Sequence, residues 1–547
     1  MTPKLLASLG NDLFSKRGRL MSLWQEQAEN FYPERADFVL QRTIGLDFAA
    51  NLTTSFPLLC RRDLGDQLSV MLRPTNKPWM HIVPKDTRIK DNPSQRWLQQ
   101  AETTQRRAMY DIEAQFTRAC KQGDHDFATF GQCVISAQLN KKKSALLYQN
   151  WHLRDVAWRE NQSGQIDFVA RKAKVHAVDM QPTFPAATLD PKIIQAVAKD
   201  PFHDVNVMHI VCTPELWDGN PNGRPRISIF YDTDHNRVLE ELPIWGKIYL
   251  IPRWQTVSGS QYAFSPATIA ALPEGRLLQA MTLTILEAGE KAVNPPLVAT
   301  KDAIKSDMQQ YPGGVTWVDM EYDERLGEAL RAMNIDVKGL PISLEMIKDS
   351  RDVLQQCFFL NKLKAFNPNT DPNMTAFQAG QIVQEYIRGA LPLFEPMEQD
   401  YNGAICEETF DILYRNGGFG PPDDIPMPLR GQDVDFKFES PLHDAIEQQK
   451  GTKFLEFAQI VAQAVQLDPA VAHLPDATSI LRDVANGIRV PAIWLHTEME
   501  VEQAQANVAQ AQAGQNTLAT TQNAANVAKT LGEARQANAA AAAAAPA

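Results

Sequence analysis

Residues able to do chemistry are present in this chain, but their spacings fall short of every familiar site. A nucleotide-phosphate loop of the GxxxxGK[ST] kind needs glycine amides around the phosphates, a lysine reaching them and a hydroxyl on the metal. Gly246-Lys247 comes closest, yet Ile248 replaces the hydroxyl and Glu241 the first glycine. Neither HExxH nor GxSxG occurs, so zinc-protease and esterase chemistry lack a starting motif. Asp232, Asp234 and Asn236 imitate the opening of a calcium loop, but Arg237 stands where that loop needs glycine and Pro243 where it needs a bidentate glutamate. A hairpin turn, in which aspartate bonds its own backbone, explains them better. Asp124-His125-Asp126 puts three titratable groups in a row, with no partner the sequence can name. The cysteines Cys60, Cys120, Cys133, Cys212, Cys357 and Cys406 contain no CxxC pair. Reduced, mostly buried thiols in a cytosolic setting are therefore expected. No catalytic residue, cofactor or metal is assigned.

The balance of charge narrows the partners. With 54 Lys plus Arg against 65 Asp plus Glu the formal charge is -11, which disfavours gripping nucleic acid by broad phosphate neutralisation. Any DNA partner would be held loosely. A length of 547 residues implies about three or four folding units at roughly 150 residues each. A hydrophobic share of 44% is enough to build sizeable cores. Near the start, Leu5 to Leu9 is a short apolar stretch followed by Lys16, Arg17 and Arg19, which does not make a signal peptide. No apolar run approaches the roughly 18 residues of a membrane span.

The elements that would position such residues are mixed. Leu13, Leu20, Leu23, Trp24, Ala28 and Phe31 predict one amphipathic helix stopped by Pro33. Strand patterns follow at Cys133 to Ser136, Ala145 to Trp151, Val156 to Trp158, Ile166 to Val169, Val205 to Cys212, Ile227 to Tyr231 and Ile248 to Ile251. Gln162-Ser163-Gly164 and Asp232-Thr233-Asp234 supply hairpin turns, and the sum is an α+β arrangement. A helix opened by Pro273 runs from Glu274 to Val293. Leu297 to Ala299 and Val315 to Val318 read as a strand pair turned by Pro312-Gly313-Gly314. A second helix, Ser343 to Phe366, carries two stripes: Leu344, Ile347, Leu354 and Phe358, and Met346, Val353, Cys357 and Leu360. It is either an ordinary core helix or one flanked by identical copies in a ring. Asn367 to Asn373 is a polar loop without an apolar anchor, and Thr375 with Gln378 forms a capping box. The helix it opens, bent at Pro392 and Pro396, reaches Tyr414 and would span about 60 Å. Pro421, Pro422, Pro426 and Pro428 mark a boundary before a strand at Val434, Phe436 and Phe438 and a further helical unit. From Val501 the chain is rich in Ala, Gln and Asn. Disorder and a barrel ordered by association both remain open for it.

Certain local segments recur together in one known family. They are Trp24 through Tyr32-Pro33, Leu72-Arg73-Pro74 with Pro78-Trp79, Phe127 through Phe130-Gly131, and Pro252-Arg253-Trp254. Ser265-Pro266-Ala267, Ala271-Leu272-Pro273, Glu290-Lys291 with Pro295-Pro296-Leu297, Pro312-Gly313, Phe358-Phe359 and Met374-Thr375-Ala376 continue the series. In order and spacing the chain resembles the portal, or head-to-tail connector, proteins of short-tailed bacteriophages. Phe377-Gln378 departs from the Thr-Glu-type pair usual there, and the Ala-rich tail exceeds what the family requires.

The resemblance implies an α+β portal fold of wing, stem, clip and crown, with long helices, antiparallel β elements and room for a C-terminal helical barrel. The expected divisions are 1–260 wing, 261–294 first stem helix, 295–341 clip and 342–366 second stem helix. They continue as 367–373 tunnel loop, 374–420 long bent wing helix, 421–500 crown and 501–547 tail or barrel. It further implies a non-enzymatic dodecameric ring at one capsid vertex, assembled in the host cytoplasm and carried in the virion. Double-stranded DNA would pass through it during packaging and ejection. Its other partners would be terminase, a tail adaptor, capsid and scaffold proteins, with no membrane. Channel candidates are Lys362, Lys364, Asn367, Asn369, Asp371 and Asn373. For Lys362 and Lys364 a favourable interaction with a helix C-terminus is the alternative. Clip-docking candidates are Lys301, Lys305 and the acidic run Asp319, Glu321, Asp323 and Glu324, for which a solvated face is the alternative. Two competing functions are an ATPase or nuclease of the packaging machine, which lacks its phosphate loop here, and another ring-forming tail or capsid protein.

Overall fold

The computed structural model describes residues 1–40, 45, 49–50, 52–74, 78–86, 88–89, 91–293, 295, 297–299, 317, 330–332, 340–361, 397–438, 494, 500–501 and 503. They belong to two units. The first holds Met1–Met80, Gln105–Gly418 and Phe438–Ala445; the second holds His81–Thr104, Phe419–Lys437 and Ile446–Ala547. In chain order come α1 (Pro3–Lys16), α2 (Gly18–Phe31), α3 (Phe56–Leu72), β1 (Met80–Pro84), α4 (Asn92–Met109) and α5 (Phe116–Phe130). Strands β2 (Val134–Leu139), β3 (Leu146–Trp151), β4 (Val156–Glu160) and β5 (Ile166–His176) precede α6 (Ala177–Thr183) and α7 (Pro191–Lys199). Then follow β6 (Asp204–Cys212), β7 (Arg226–Asp232), β8 (Arg237–Ile244), β9 (Tyr249–Leu250), β10 (Gln255–Thr256) and β11 (Ala263–Phe264). The rest are α8 (Pro266–Val293), β12 (Leu297–Ala299), β13 (Leu330–Ala332), α9 (Leu340–Cys357), a π-helical turn at Glu398–Gly403, α10 (Ala404–Arg415) and β14 (Val434–Phe438).

The first unit is α+β, as expected. Strands β4 to β8 form a meander in which each strand pairs antiparallel with the next. Both hairpin turns read from the sequence are present. The Asn161 carboxamide oxygen accepts from the Ser163 and Gln165 amides, and Asp232 accepts from the Asp234 and His235 amides. Phe168, Ala170, Ile210, Cys212, Ile227 and Ile229 line one face under Leu6 and Ala7 of α1. Val169 and Val211, one register step away, join Trp24 of α2, Phe130 of α5 and Trp158 on the other. Burial on both faces explains why these strands read as continuous apolar runs instead of alternating ones. A second sheet, in the order β3-β2-β9, packs beside α5. In the second unit β1 pairs with β14, the Lys85 amide donates to the Asp433 carbonyl (3.1 Å), and Trp97 meets Phe419 edge-on at 6.2 Å.

Several elements differ from expectation. The helix expected from Leu13 to Phe31 is two helices, broken at Arg17, whose guanidinium is drawn inward to the carbonyls of Leu153 (2.8 Å), Val156 (2.6 Å) and Arg154. Pro273 lies inside α8, not in its first turn, because Ser265 opens the helix earlier by accepting from the Thr268 amide (3.3 Å). The hydrogen bond that Pro273 cannot make would fall on the exposed side, where Ile269 also sits, so water can satisfy the carbonyl. The partner of β7 is β8, a strand the sequence reading passed over, whereas Tyr249–Leu250 pairs with β2. Leu297–Ala299 pairs with β13; of Val315 to Val318, the partner read from the sequence, only Trp317 is described, and it is in no strand. The second long helix ends at Cys357, short of Phe366, because Phe359 turns left-handed (φ 57°) and its amide bonds the Gln356 carbonyl. The capping box at Thr375, the bends at Pro392 and Pro396 and the tail beyond 503 lie outside the described residues.

Candidate functional site

All twelve residues proposed to line a channel or dock a partner lie outside the described residues: Lys301, Lys305, Asp319, Glu321, Asp323, Glu324, Lys362, Lys364, Asn367, Asn369, Asp371 and Asn373. What the structure does describe is the helix pair on either side of residues 295–341, α8 and α9, which pack against each other.

The base of α8 is rooted in the first unit. The Ser265 hydroxyl donates to the Ala128 carbonyl (2.7 Å) and that of Thr268 to the Thr129 carbonyl (2.7 Å), tying the helix start to the end of α5. That end needs glycine. Gly131 is left-handed (φ 73°), and a Cβ there would lie 2.1 Å from the Phe264 carbonyl carbon. Farther along, the Gln279 carboxamide accepts from the Thr53 and Thr54 amides (2.8 and 3.0 Å) and donates to the Thr54 carbonyl (2.9 Å). Ala267, Ala271, Leu272, Gly275 and Leu278 are buried. Past Gln279 the apolar side chains open outward: Leu283, Leu286 and Val293, spaced i, i+3, i+10 on one face, are all exposed.

The second helix divides the same way. Ile347 and Leu354 are buried with Phe358 just beyond the helix, and Phe358 meets Phe31 edge-on at 5.4 Å. Ile342, Met346 and Val353, spaced i, i+4, i+11, make another stripe that is 63%, 50% and 39% exposed, against 0% for Leu354. Of the two stripes read from the sequence, the first is covered within one chain except at Leu344. The second is open at Met346 and Val353, whereas Leu360 is buried and Cys357 half-buried. Each such aliphatic side chain gains about 1.5–3 kcal/mol when fully covered. This surface can bind apolar protein; it holds no group suited to acid–base or nucleophilic work.

The other chemical candidates are structural. The Gly246-Lys247 turn is occupied by the chain's own acid: Glu408 of α10 accepts from the Lys247 amide (3.0 Å), and a Cβ at Gly246 would lie 2.0 Å from the carboxylate. Burial pushes the Glu408 carboxyl pKa up. Asp124-His125-Asp126 does have partners, which sequence reasoning missed. Asp126 takes a bidentate bond from Arg35 (3.0 and 2.6 Å), Arg61 lies 3.1 Å from the His125 ring, and Asp124 pairs with Arg73. Burial disfavours the Arg73 charge, but Asp124 more than offsets it and holds the guanidinium pKa above its ordinary value. Partners 51 to 91 positions away leave no local signal. All six cysteines are free thiols, and burial raises Cys120 and Cys212 to about 12. Among the described residues no group of His, Cys, Asp or Glu could hold a metal ion.

Known proteins match this chain along most of its length. The family model for bacteriophage head to tail connecting protein matches residues 4–495. The chain belongs to that connector family. It is 24% identical over 454 residues to a "Probable portal protein" of Bordetella phage BPP-1, covering 81% of this chain and 79% of that protein. It is 23% identical over 318 residues to a "Portal protein" of Salmonella phage epsilon15, covering 57% of this chain and 55% of that one. Connector proteins are structural components of the phage particle and not enzymes, which removes the ATPase and nuclease alternatives. No described helix of this connector is long and apolar enough to cross a membrane.

Proposed function

We propose that this connector is a portal: a dodecameric ring at a unique capsid vertex through which double-stranded DNA is packaged and ejected, and on which terminase and the tail adaptor dock. Connector function at the capsid vertex follows from the family. The observation that carries the ring is the pair of open stripes, Leu283–Leu286–Val293 on α8 and Ile342–Met346–Val353 on α9, on helices otherwise anchored in a well-packed unit. A monomer that leaves two aliphatic faces in water is completed by neighbours presenting the same helices. In this reading 1–260 and 374–420 form the wing, α8 and α9 the stem within 261–294 and 342–366, 295–341 the clip, 367–373 the tunnel loop, 421–500 the crown and 501–547 a tail or barrel. Lys362 and Lys364 beside the loop touch passing phosphates, and Lys301, Lys305, Asp319, Glu321, Asp323 and Glu324 face docking partners. The acidic balance suits a conduit, since many phosphate contacts would hold DNA in a strong, salt-dependent grip instead of letting it slide.

Native mass measurement with particle imaging tests the proposal. A closed ring with an axial hole wide enough for duplex DNA is the expected result. A chain that stays monomeric at every concentration, or a ring without a hole, overturns it.

A further inference from the structure

The break between α1 and α2 leaves a cavity of about 580 Å³, inside the roughly 300–1,000 Å³ range of ligand pockets. Its wall carries the basic cluster Lys16, Arg17 and Arg19, with Ser260, Gln261 and Tyr262 from the loop opposite, and among the described residues that line it there is no aspartate or glutamate. In a chain of formal charge -11, three convergent cations with no acid among them are unexpected on composition alone.

The charges on this wall are differently committed. Lys16 reaches Asp12 at 2.6 Å, both side chains being exposed, so the pair is labile. Arg17 is 5% exposed, gives three N–H bonds to the carbonyls of Leu153, Val156 and Arg154 and lies over the Phe14 ring at 4.6 Å, but no carboxylate bonds its charge. Asp155 lies close enough to act on that charge but is bonded by Arg154. Arg19 is exposed. Tyr262, 9% exposed, has a charged neighbour in Arg17 and no hydrogen-bond partner of normal geometry for its hydroxyl. Helix α2 begins at this wall with no side-chain cap and no acid in its first turn.

We infer that the α1–α2 junction is a binding pocket for a phosphate group, seated between Lys16, Arg17 and Arg19 with the Gln261 carboxamide as a neutral donor. The phosphate is carried either by a free phosphate ion or by a nucleic-acid backbone. The inference does not rest on ring formation.

Isothermal titration of the full-length chain with sodium phosphate, and in a separate arm with a short DNA duplex, distinguishes the two carriers. Saturable phosphate binding that weakens about tenfold or more in Lys16→Gln/Arg19→Gln supports a free-anion site, that loss being the worth of one good charge-assisted contact. Duplex binding alone, weakened in the same variant with a salt slope shallower by about 0.9 per cation removed, assigns the group to a backbone. Binding unchanged in the variant, or no binding of either ligand by the wild type, overturns the inference. Arg17 is kept because it holds the α1–α2 junction. Should the double variant melt early, Arg19→Gln alone carries the test, read the same way.

Discussion

At the scale of residues, buried charge is the most exposed to test. Arg73 and Asp124 are 5% and 1% exposed, and the Asn402 carboxamide oxygen accepts from Arg73 at 2.7 Å. Asp124→Ala would leave the guanidinium buried without its counter-charge. A loss of about 3–5 kcal/mol is expected in thermal or denaturant unfolding, against at most about 0.5 kcal/mol for the exposed helical acid Asp12→Ala. His209 gives a pH dependence. It is held neutral between the Tyr249 hydroxyl (2.6 Å) and the Ser228 hydroxyl (2.9 Å), stacked on Phe230 at 4.0 Å. Burial, with Arg171 nearby, pushes its pKa well below the ordinary value. The unfolded chain takes up this proton below about pH 6.5 and the folded one does not. Stability is therefore full above that pH and falls as pH drops toward the folded pKa, by up to about 1.4 kcal/mol per pH unit for this group. His125, lowered by burial and by Arg61, acts in the same direction. Unfolding curves of His209→Gln between pH 7 and pH 5 should show a slope shallower by about one proton. None of these partners was legible locally, since pairing across the fold leaves no spacing to read.

At the scale of elements, the two faces of α9 should respond oppositely to mutation. Met346→Glu/Val353→Glu places charge on the open stripe, so the melting temperature of the isolated chain should move little, within about 0.5 kcal/mol per site. Ring formation, read by native mass, should be lost, because two acids per copy would be desolvated at each contact. Leu354→Ala removes a fully buried side chain and should lower stability by about 2–5 kcal/mol before assembly is reached. Deleting Asn367 to Asn373, a stretch without side chains suited to a core, should leave rings intact while DNA retention in particles falls. The helix periodicities and both hairpin turns were readable because the apolar spacing and turn chemistry are local. Helix α7 was also readable in principle, since Asp190 caps it before Pro191 by accepting from the Lys192 amide (3.0 Å). Strand β8 was not: as an edge strand it carries Glu240, Glu241 and Pro243, which blunt the edge and break the alternation.

At the scale of the whole molecule, a portal ring should bind duplex DNA weakly and with a shallow dependence on salt. Lys362→Gln/Lys364→Gln should flatten the slope of log K against log salt by about 0.9 for each phosphate contact the ring loses. A steep slope in the wild-type ring would contradict a sliding conduit. The order of the local segments was enough to place the chain in the connector family, and the missing spacings were enough to leave catalysis unassigned, because both are properties of linear order. The amino-acid order also dictated that the second long helix has two apolar stripes, since residues three and four apart share a face whatever lies around them. Which stripe the chain covers for itself, and which it leaves open, was settled only when Phe31 arrived from the N-terminal region to pack on Phe358. Periodicity says that a face must be buried; the partner that buries it comes from hundreds of residues away, and only tertiary packing brings it there.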